Sequence, residues 1–479
     1  MSAKKIHPSW LVAGACYGLT IGAFIGVRIR VPLGIEVLPF VILAGFYSFR
    51  RRSISSVILI ICAGVLVGLL RSGADSDQRR KFLQNFGEKV TLNGTVASDP
   101  SFGIEGETRF VMSDVSYGST NYTVNLWIEI PDRIVLKRSD SVEISGMVSS
   151  GFGPYAASIY HGKLLSVQHL KNADIAGSVR DSFANGIRNG IDEPEASLGA
   201  GFLLGQKTSL PEKLQNELRL LGLTHIVVAS GYNLTVLIRF SRRLFMRISR
   251  FSALASSLFL VYLFMQMTGT SPSMSRAGLI ATVSLLAWFY GRKIHPVVLI
   301  GISAGGTLFV NPSYAHNDLG WLLSFASFVG VLVLAPLIHS YFWGTQKPHW
   351  LRQLLVETAS AQVCTVPIIL LSFGTFSPLS IVANALVVPL IPVAMLLVFT
   401  AGIASLVVPF VSQIIAFPAT LLLRYMTTVI DRLSVLPLAN DSISFSVTAF
   451  ITSYILIFIS IIFLWRRSGH EFRDYNIIE

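Results

Sequence analysis

Charge is what this sequence has least of. Only 13% of the 479 residues are Asp, Glu, Lys or Arg, about half the share in an ordinary soluble domain. With 52% of the chain hydrophobic, too few polar groups remain to cover a globule of this size. A soluble enzyme and a disordered chain are thereby excluded. Cysteine is scarcer still: Cys16, Cys62 and Cys364 lie far apart in apolar runs, which leaves no disulfide framework and no Cys-x-x-Cys metal site. The histidines form no His-x-His or His-Glu-x-x-His pattern, and no Gly-x-x-x-x-Gly-Lys-Ser/Thr loop occurs. No metal, cofactor or P-loop chemistry is expected. What the chain does have is long apolar runs, and the fold class they predict is a polytopic α-helical membrane protein.

The net charge is +12, and it is unevenly placed. Residues 1–84 carry 11 Lys/Arg against 3 Asp/Glu, residues 85–170 carry 6 against 9, and residues 171–479 carry 21 against 14. The basic excess therefore belongs to the apolar regions. The positive-inside rule accounts for it, and attraction to nucleic acid is the sharper reading of the same charge.

A membrane span needs roughly 17–25 mostly apolar residues. An N-terminal block, 1–71, offers runs at 10–27, 34–49 and 54–70. The first continues past Ala13-Gly14-Ala15-Cys16, so a retained span is expected rather than a cleaved signal peptide. A second block, 222–466, offers runs at 222–240, 251–268, 273–290, 294–310, 319–341, 353–372, 379–408, 412–432 and 444–465, with Pro389 and Pro392 expected to break the seventh. If both termini are cytoplasmic, the clusters at Arg50 to Arg52, Arg239 to Arg250, Arg292 and Lys293, Lys347 and Arg352, and Arg466 and Arg467 all fall inside. Residues 467–479 are then a cytoplasmic tail.

Between the blocks the pattern changes to alternation. Val90-Thr91-Leu92-Asn93, Tyr122 to Ile130 and Asp140 to Val148 alternate apolar and polar residues between turn signals. About five short strands predict an extracytoplasmic domain over 72–175, with an OB-like β-barrel as the first expectation. Tyr122 and Trp127 are candidate stacking platforms for a nucleic acid there, and Arg109, Arg133, Lys137, Arg138 and Lys163 are candidate phosphate contacts. The plainer reading makes the aromatics barrel core. Residues 176–221 read as interfacial, amphipathic helices too short to span.

Ionisable residues and helix breaks inside spans are functional candidates by default. His225, Ser230, Gly231, Tyr232 and Asn233 form a polar break in one apolar run. Arg276 stands near the start of another, either snorkelling or meeting an anion. Asp318 suits a helix cap or, on the path, a pairing with Arg276. Gln362 lies in a run with Pro367, and Asn384 precedes Pro389 and Pro392. Ser230 after His225 also permits an intramembrane serine hydrolase, although Val228 and Tyr232 break the Gly-x-Ser-x-Gly elbow. Broken helices with an arginine permit a secondary transporter of a smaller anion.

Gly222-Leu223-Thr224-His225 through Ser230-Gly231-Tyr232-Asn233 resembles the signature of the ComEC family, the competence-type DNA-uptake channels of bacteria. Three blocks follow in family order: Gly269 to Ala277, Asn311-Pro312 to Ala326, and Gln362 to Pro367 with Asn384 to Pro389. The family often has His where Asn233 stands. No His-x-His-x-Asp-His follows Trp465, so the resemblance is to a member without the metallo-β-lactamase-like domain. It implies a multi-pass protein of the bacterial cytoplasmic membrane whose second block is a channel for single-stranded DNA during natural transformation. It further implies no catalysis by this chain, and a separate DNA receptor, helicase motor and nuclease as partners.

Overall fold

The computed structural model describes residues 5–29, 34–103, 106–169, 174–206, 210–224, 231–269, 271–344, 346, 349–436, 441–442, 444–469 and 472. Three helices come first: α1 (Pro8–Arg28), α2 (Leu38–Arg51) and α3 (Ile54–Leu83). The strands follow as β1 (Lys89–Val96), β2 (Ser101–Phe102), β3 (Thr108–Tyr117), β4 (Thr120–Tyr122), β5 (Leu126–Ile130), β6 (Ser141–Met147), β7 (Ser149–Ser150), β8 (Ala157–Ile159) and β9 (Lys163–Gln168). Next are α4 (Ile175–Gly190), α5 (Glu195–Leu204), α6 (Glu212–Leu220), α7 (Gly231–Phe245), α8 (Arg250–Thr268), α9 (Pro272–Phe289) and α10 (Pro296–Val310). The chain continues through α11 (Leu319–Val329), α12 (Ala335–Trp343), α13 (Trp350–Phe373), α14 (Ser380–Val387), α15 (Ile391–Val407), α16 (Ser412–Ser434) and α17 (Val447–Ser468).

Among the described residues, eight helices are long and apolar enough to cross a membrane. Their starts follow local chemistry. Ser53 and Ser56 form a capping box on α3, Ser249 and Ser252 another on α8, and Ser271 caps α9 ahead of Pro272. The runs at 34–49 and 294–310 yield helices of only 14 and 15 residues. At 1.5 Å per residue each reaches about 21–23 Å, short of a hydrocarbon core of about 30 Å. The expected break in 379–408 is present: α14 and α15 are joined by a 3₁₀ turn at Val388–Leu390, where Pro389 interrupts the α-helical ladder.

Contacts divide the chain into two compact units, residues 1–175 with 297–321, and residues 176–296 with 322–479. In the first unit α1 and α3 pack backbone to backbone. A Cβ added at Gly18, Gly22, Gly64 or Gly68 would stand 2.1–2.2 Å from a carbonyl oxygen of the facing helix. Four-residue spacing puts these glycines on one side of each helix, the small-xxx-small arrangement of membrane helix pairs. Ser72 extends the contact, its hydroxyl donating to the Ala23 carbonyl at 3.0 Å.

α3 runs 30 residues, well past the apolar stretch that ends at Leu70. Its polar extension is amphipathic and delivers Phe82, fully buried, into the core of the sheet, edge-on to Tyr122 at 5.4 Å. The sequence places this turn of chain in the β-domain; it is helical because Arg79 and Phe82 share a face that the sheet buries. β1, β5 and β6 alternate as expected, with Leu92, Leu126, Ile128 and Ile144 fully buried.

A β-domain is present as expected, but it is not the expected barrel. The strands join in the order β7-β8-β5-β3-β1-β6-β9, with β2 and β4 on β3, so the sheet is open. It is also mixed, because β8 pairs parallel to β5. The terminal strand β7 has two residues, too short a ladder to close the ring against β9.

A polar knot fastens this unit. The Asp75 carboxylate accepts from Ser313 Oγ at 3.0 Å and Arg79 Nε at 3.1 Å, and lies 3.1 Å from His316 Nε2. Arg79 also donates to the Gly153 and Pro154 carbonyls at 3.3 and 2.6 Å. One carboxylate thus orients the arginine that holds a loop of the sheet. Asp75→Asn is expected to lower stability by about 1–3 kcal/mol, the cost of leaving a buried charged donor short of its acceptor. A lower thermal midpoint and faster proteolysis within 84–169 are the readouts; an unchanged midpoint would show the knot to be ornamental.

In the second unit, α5 is buried along its whole length and packs with α4, α6 and α14 to α16 around Ala196, Leu198, Phe202, Val398 and Leu423. A smaller core joins α7, α8 and α9 at Leu234, Phe264 and Met274. Between α11 and α12 the helix widens into a π-turn at Gly330–Leu334. Gly330 is needed there, because a Cβ would meet the Ser360 carbonyl of α13 at 2.4 Å.

Candidate functional site

The second unit gathers polar side chains at three points. The first is the head of α7. Gly231 opens that helix, and the space above it is occupied by α9: a Cβ on Gly231 would lie 3.2 Å from Ala277 Cβ and 3.7 Å from Arg276 Nη2. Arg276 is part-buried. Its Nε donates to Ser324 Oγ at 2.6 Å, and its guanidinium lies over the Phe328 ring at 4.9 Å and the Phe325 ring at 6.0 Å. Among the described residues no carboxylate stands within ion-pair distance of it. The charge is therefore offset by one neutral hydroxyl and two ring faces, which stabilise a cation only modestly. Such a group attracts anions.

The second point is two residues further along α7. Asn233 is fully buried and donates through Nδ2 to the Phe202 carbonyl at 2.9 Å, bonding α7 to the last turn of α5. Tyr232, between these two, is exposed. The third point joins α13 to α14. Gln362 donates through Nε2 to Ser380 Oγ, and Asn384 Nδ2 donates to the Ser380 carbonyl at 2.8 Å. The Gln362 Oε1 acceptor is buried without a partner among the described residues. A buried unmet acceptor is uncommon and marks a place where water or a polar occupant is wanted. His225 and Ser230 lie outside the described residues, as does Lys347.

Asp318, in the first unit, takes the plainer of its two roles. Its Oδ1 accepts from the Trp321 backbone N–H at 2.8 Å and caps α11.

The sheet's candidate contacts do not form one basic face. Arg109 is held by Glu107 and Glu129 at 2.5 and 3.1 Å, and Arg138 is bidentate on Asp174 at 2.6 and 2.8 Å. Both arginines are neutralised by ion pairs. Arg133 stacks over Phe102 at 4.6 Å, and Lys137 and Lys163 are exposed. Tyr122 packs on the sheet's core. Trp127 joins Phe152 and Tyr155 in a trio with ring centroids 5.2–5.8 Å apart. Burial, then the Asp318 carboxylate and Tyr314, pushes the Tyr155 hydroxyl up to about 12, so the trio is uncharged.

Sequence reasoning missed Asp75, Arg79 and Ser380, and it held Ser324 only as one residue of the block that ends at Ala326. The first two carried a readable signal, opposite charges at i and i+4 directly after an apolar run. Ser380 carried none, being a single hydroxyl in an apolar run.

Residues 202–468 match the family model described as Competence protein. Over 210 residues the chain is 26% identical to ComE operon protein 3 of Bacillus subtilis (strain 168), a stretch equal to 43% of this chain and 26% of that protein. The match therefore spans about a quarter of the relative's length. No solved structure matches. The family model covers more than half of the chain and takes in Gly231, Asn233, Arg276, Gln362 and Asn384. The chain is a multi-pass membrane protein and belongs to the competence protein family, in its ComEC type.

Proposed function

We propose that this protein conducts a single DNA strand across the bacterial cytoplasmic membrane during natural transformation, acting as a passage rather than as an enzyme. The observation that carries this reading is Arg276: a membrane-block guanidinium with no carboxylate partner among the described residues, standing at the glycine head of α7. A phosphodiester is an anion, and charge-assisted hydrogen bonds from a planar guanidinium suit it. Asn233, Gln362 and Asn384 supply neutral polar groups, which let a charged polymer slide where more arginines would grip it. Conduction needs binding weak enough to release.

On this reading the sheet unit lies on the outer side and both termini inside. Arg133, Lys137 and Lys163 with the Trp127 trio offer a weak guiding surface for the strand. A receptor, a helicase motor and a nuclease that removes the other strand are the partners the reading requires.

The test is uptake of labelled DNA. A strain lacking this protein should neither internalise nor integrate labelled DNA, and the wild-type chain should restore both. Normal uptake in the deletion strain would end the proposal. Proteoliposomes that pass a small anion at rates indifferent to DNA would move Arg276 to the transport of smaller solutes.

A further inference from the structure

Helices α7 and α9 pack side by side and run in the same direction. Their heads meet at Arg276, where a Cβ on Gly231 would lie 3.2 Å from Ala277 Cβ. Their tails meet at Trp288, whose ring lies 5.2 Å from the Arg242 guanidinium. Arg250, at the start of α8, completes this corner. Its guanidinium lies 5.5 Å from the same ring, and its Nη2 donates to the Trp288 carbonyl at 3.1 Å. Phe289, the last residue of α9, is 13 positions beyond Arg276 (289 − 276), which is about 20 Å at helical rise.

The tail end carries an unbalanced charge. Residues 218–317 hold nine Lys/Arg and no Asp or Glu. Seven of the nine gather here: five between Arg239 and Arg250, and Arg292 with Lys293 just past α9. Arg243, Arg247 and Arg292 are exposed, and their side chains make no hydrogen bond or ion pair among the described residues. From α13, Glu357 acts electrostatically on Tyr232, as Arg239 does. Counted in full, it leaves seven cations to one anion. Tyr290, between α9 and Arg292, is 72% exposed.

Between the two ends the helices are neutral. Neither α7 from Tyr232 to Ile238 nor α9 from Ala277 to Phe289 contains a charged residue. A polyanion drawn to Arg276 therefore meets an uncharged stretch, then a second and denser set of cations at the far end of the same helix pair.

From this we propose, resting on the passage reading above, that the tail end of α7 and α9 is the exit site of the single DNA strand, with phosphates on Arg243, Arg247 and Arg292 and a base against the Tyr290 ring. Arg242 and Arg250 are spent on Trp288 and hold the corner in shape. Cations beside exposed rings are what single-stranded nucleic acid binds. Six of the seven cations are arginine, whose planar fork matches a phosphate where lysine offers a point charge. With both termini inside, the positive-inside rule puts the cluster on the cytoplasmic face, where a strand that has passed Arg276 emerges. That rule explains the sign of the cluster; it asks for no exposed ring within it.

The test is binding of a fluorescent oligothymidylate to the full-length protein in discs of zwitterionic lipid, titrated with salt. For single strands, log affinity falls against log salt by about 0.7 per phosphate contact. Arg243→Gln, Arg247→Gln and Arg292→Gln should each flatten the slope by about that amount, and the triple variant by about 2. Tyr290→Ala should weaken binding about five- to a hundredfold at unchanged slope, the loss of one base stack. Lysine at the same three positions keeps the charge and should keep the slope, which separates a lost contact from a lost fold. In cells the triple glutamine variant should lose most uptake of labelled DNA. An unchanged slope in that variant, or normal uptake, would overturn the exit site and leave charges that only orient the helices. Failure of the passage reading looks different, because DNA uptake would then persist in the strain lacking the whole protein. No oligonucleotide binding by wild type, with retention of phosphatidylglycerol lost in the same variants, would overturn the site in favour of bilayer headgroups.

Discussion

Arg276→Met is expected to cut DNA uptake roughly ten- to a hundredfold while leaving the protein folded, in the membrane and at least as heat-stable as wild type. The size of the loss follows from the contact removed. A hydrogen bond to a charged group is worth about 1.5–3 kcal/mol, and each 1.4 kcal/mol is about tenfold in an equilibrium. The stability half follows from what Arg276 lacks. Its guanidinium has Ser324 and the rings of Phe328 and Phe325, but no carboxylate among the described residues. Replacing a poorly compensated charge by an apolar side chain of similar length is often neutral or stabilising, and a thioether packs well on aromatic rings. Activity and stability should therefore move apart, which a residue needed only for folding cannot produce. Arg276→Lys should fall between, because it keeps the charge and loses the planar fork. Normal uptake in the methionine variant would reduce Arg276 to a packing residue, and a drop in thermal midpoint together with uptake would make it structural.

Gly22→Leu is expected to have the largest effect on the fold. A Cβ there would stand 2.1 Å from the Val65 carbonyl oxygen, with the Val65 Cα and carbonyl carbon at 2.8 Å. All three are backbone atoms of a long helix, which cannot swing aside as a side chain can. Overpacking of this kind costs about 3 kcal/mol or more, and separating α1 from α3 also breaks the Ser72 bond to Ala23. The variant should be poorly retained in membranes, with a thermal midpoint well below wild type. Gly45 and Gly73 provide the control: a Cβ at either meets nothing within 4 Å, so Gly45→Ala and Gly73→Ala should be tolerated. Equal tolerance at position 22 would show that the helix pair is loose and that its glycines are incidental.

Much of the site was legible because it rests on rare residues in apolar surroundings. Arg276, Gln362 and Asn384 announce themselves by being polar inside spans, and the break at Pro389 by the missing N–H. The cap at Asp318 is likewise a local matter, one carboxylate and one backbone N–H three residues on. What escaped notice were the partners. Ser380 is an ordinary hydroxyl until Gln362 reaches it, and although Ser324 lies in a block the sequence singles out, nothing in a linear pattern says that Arg276 will meet it. The sheet shows the same division. Alternation in β1, β5 and β6 identified strands and their buried faces, yet gave no means of telling an open, mixed sheet from a closed barrel. That choice depends on β8 entering parallel to β5 and on β7 being too short to continue the ladder.

The sequence by itself determined that this chain lives in a membrane, where its apolar runs lie, where strands interrupt them and which charges are out of place. Each of these follows from composition or short-range periodicity, because transfer free energy and backbone geometry act residue by residue. Only the tertiary structure decided that Asp75 and Arg79 would bind a loop of the sheet, that four glycines would bring α1 and α3 into backbone contact, and that Arg276 would stand at the head of α7 without a carboxylate among the described residues. Those outcomes depend on the pairing of segments far apart in the chain, and pairing is settled by shape and by the satisfaction of buried polar groups, which no window of neighbouring residues contains.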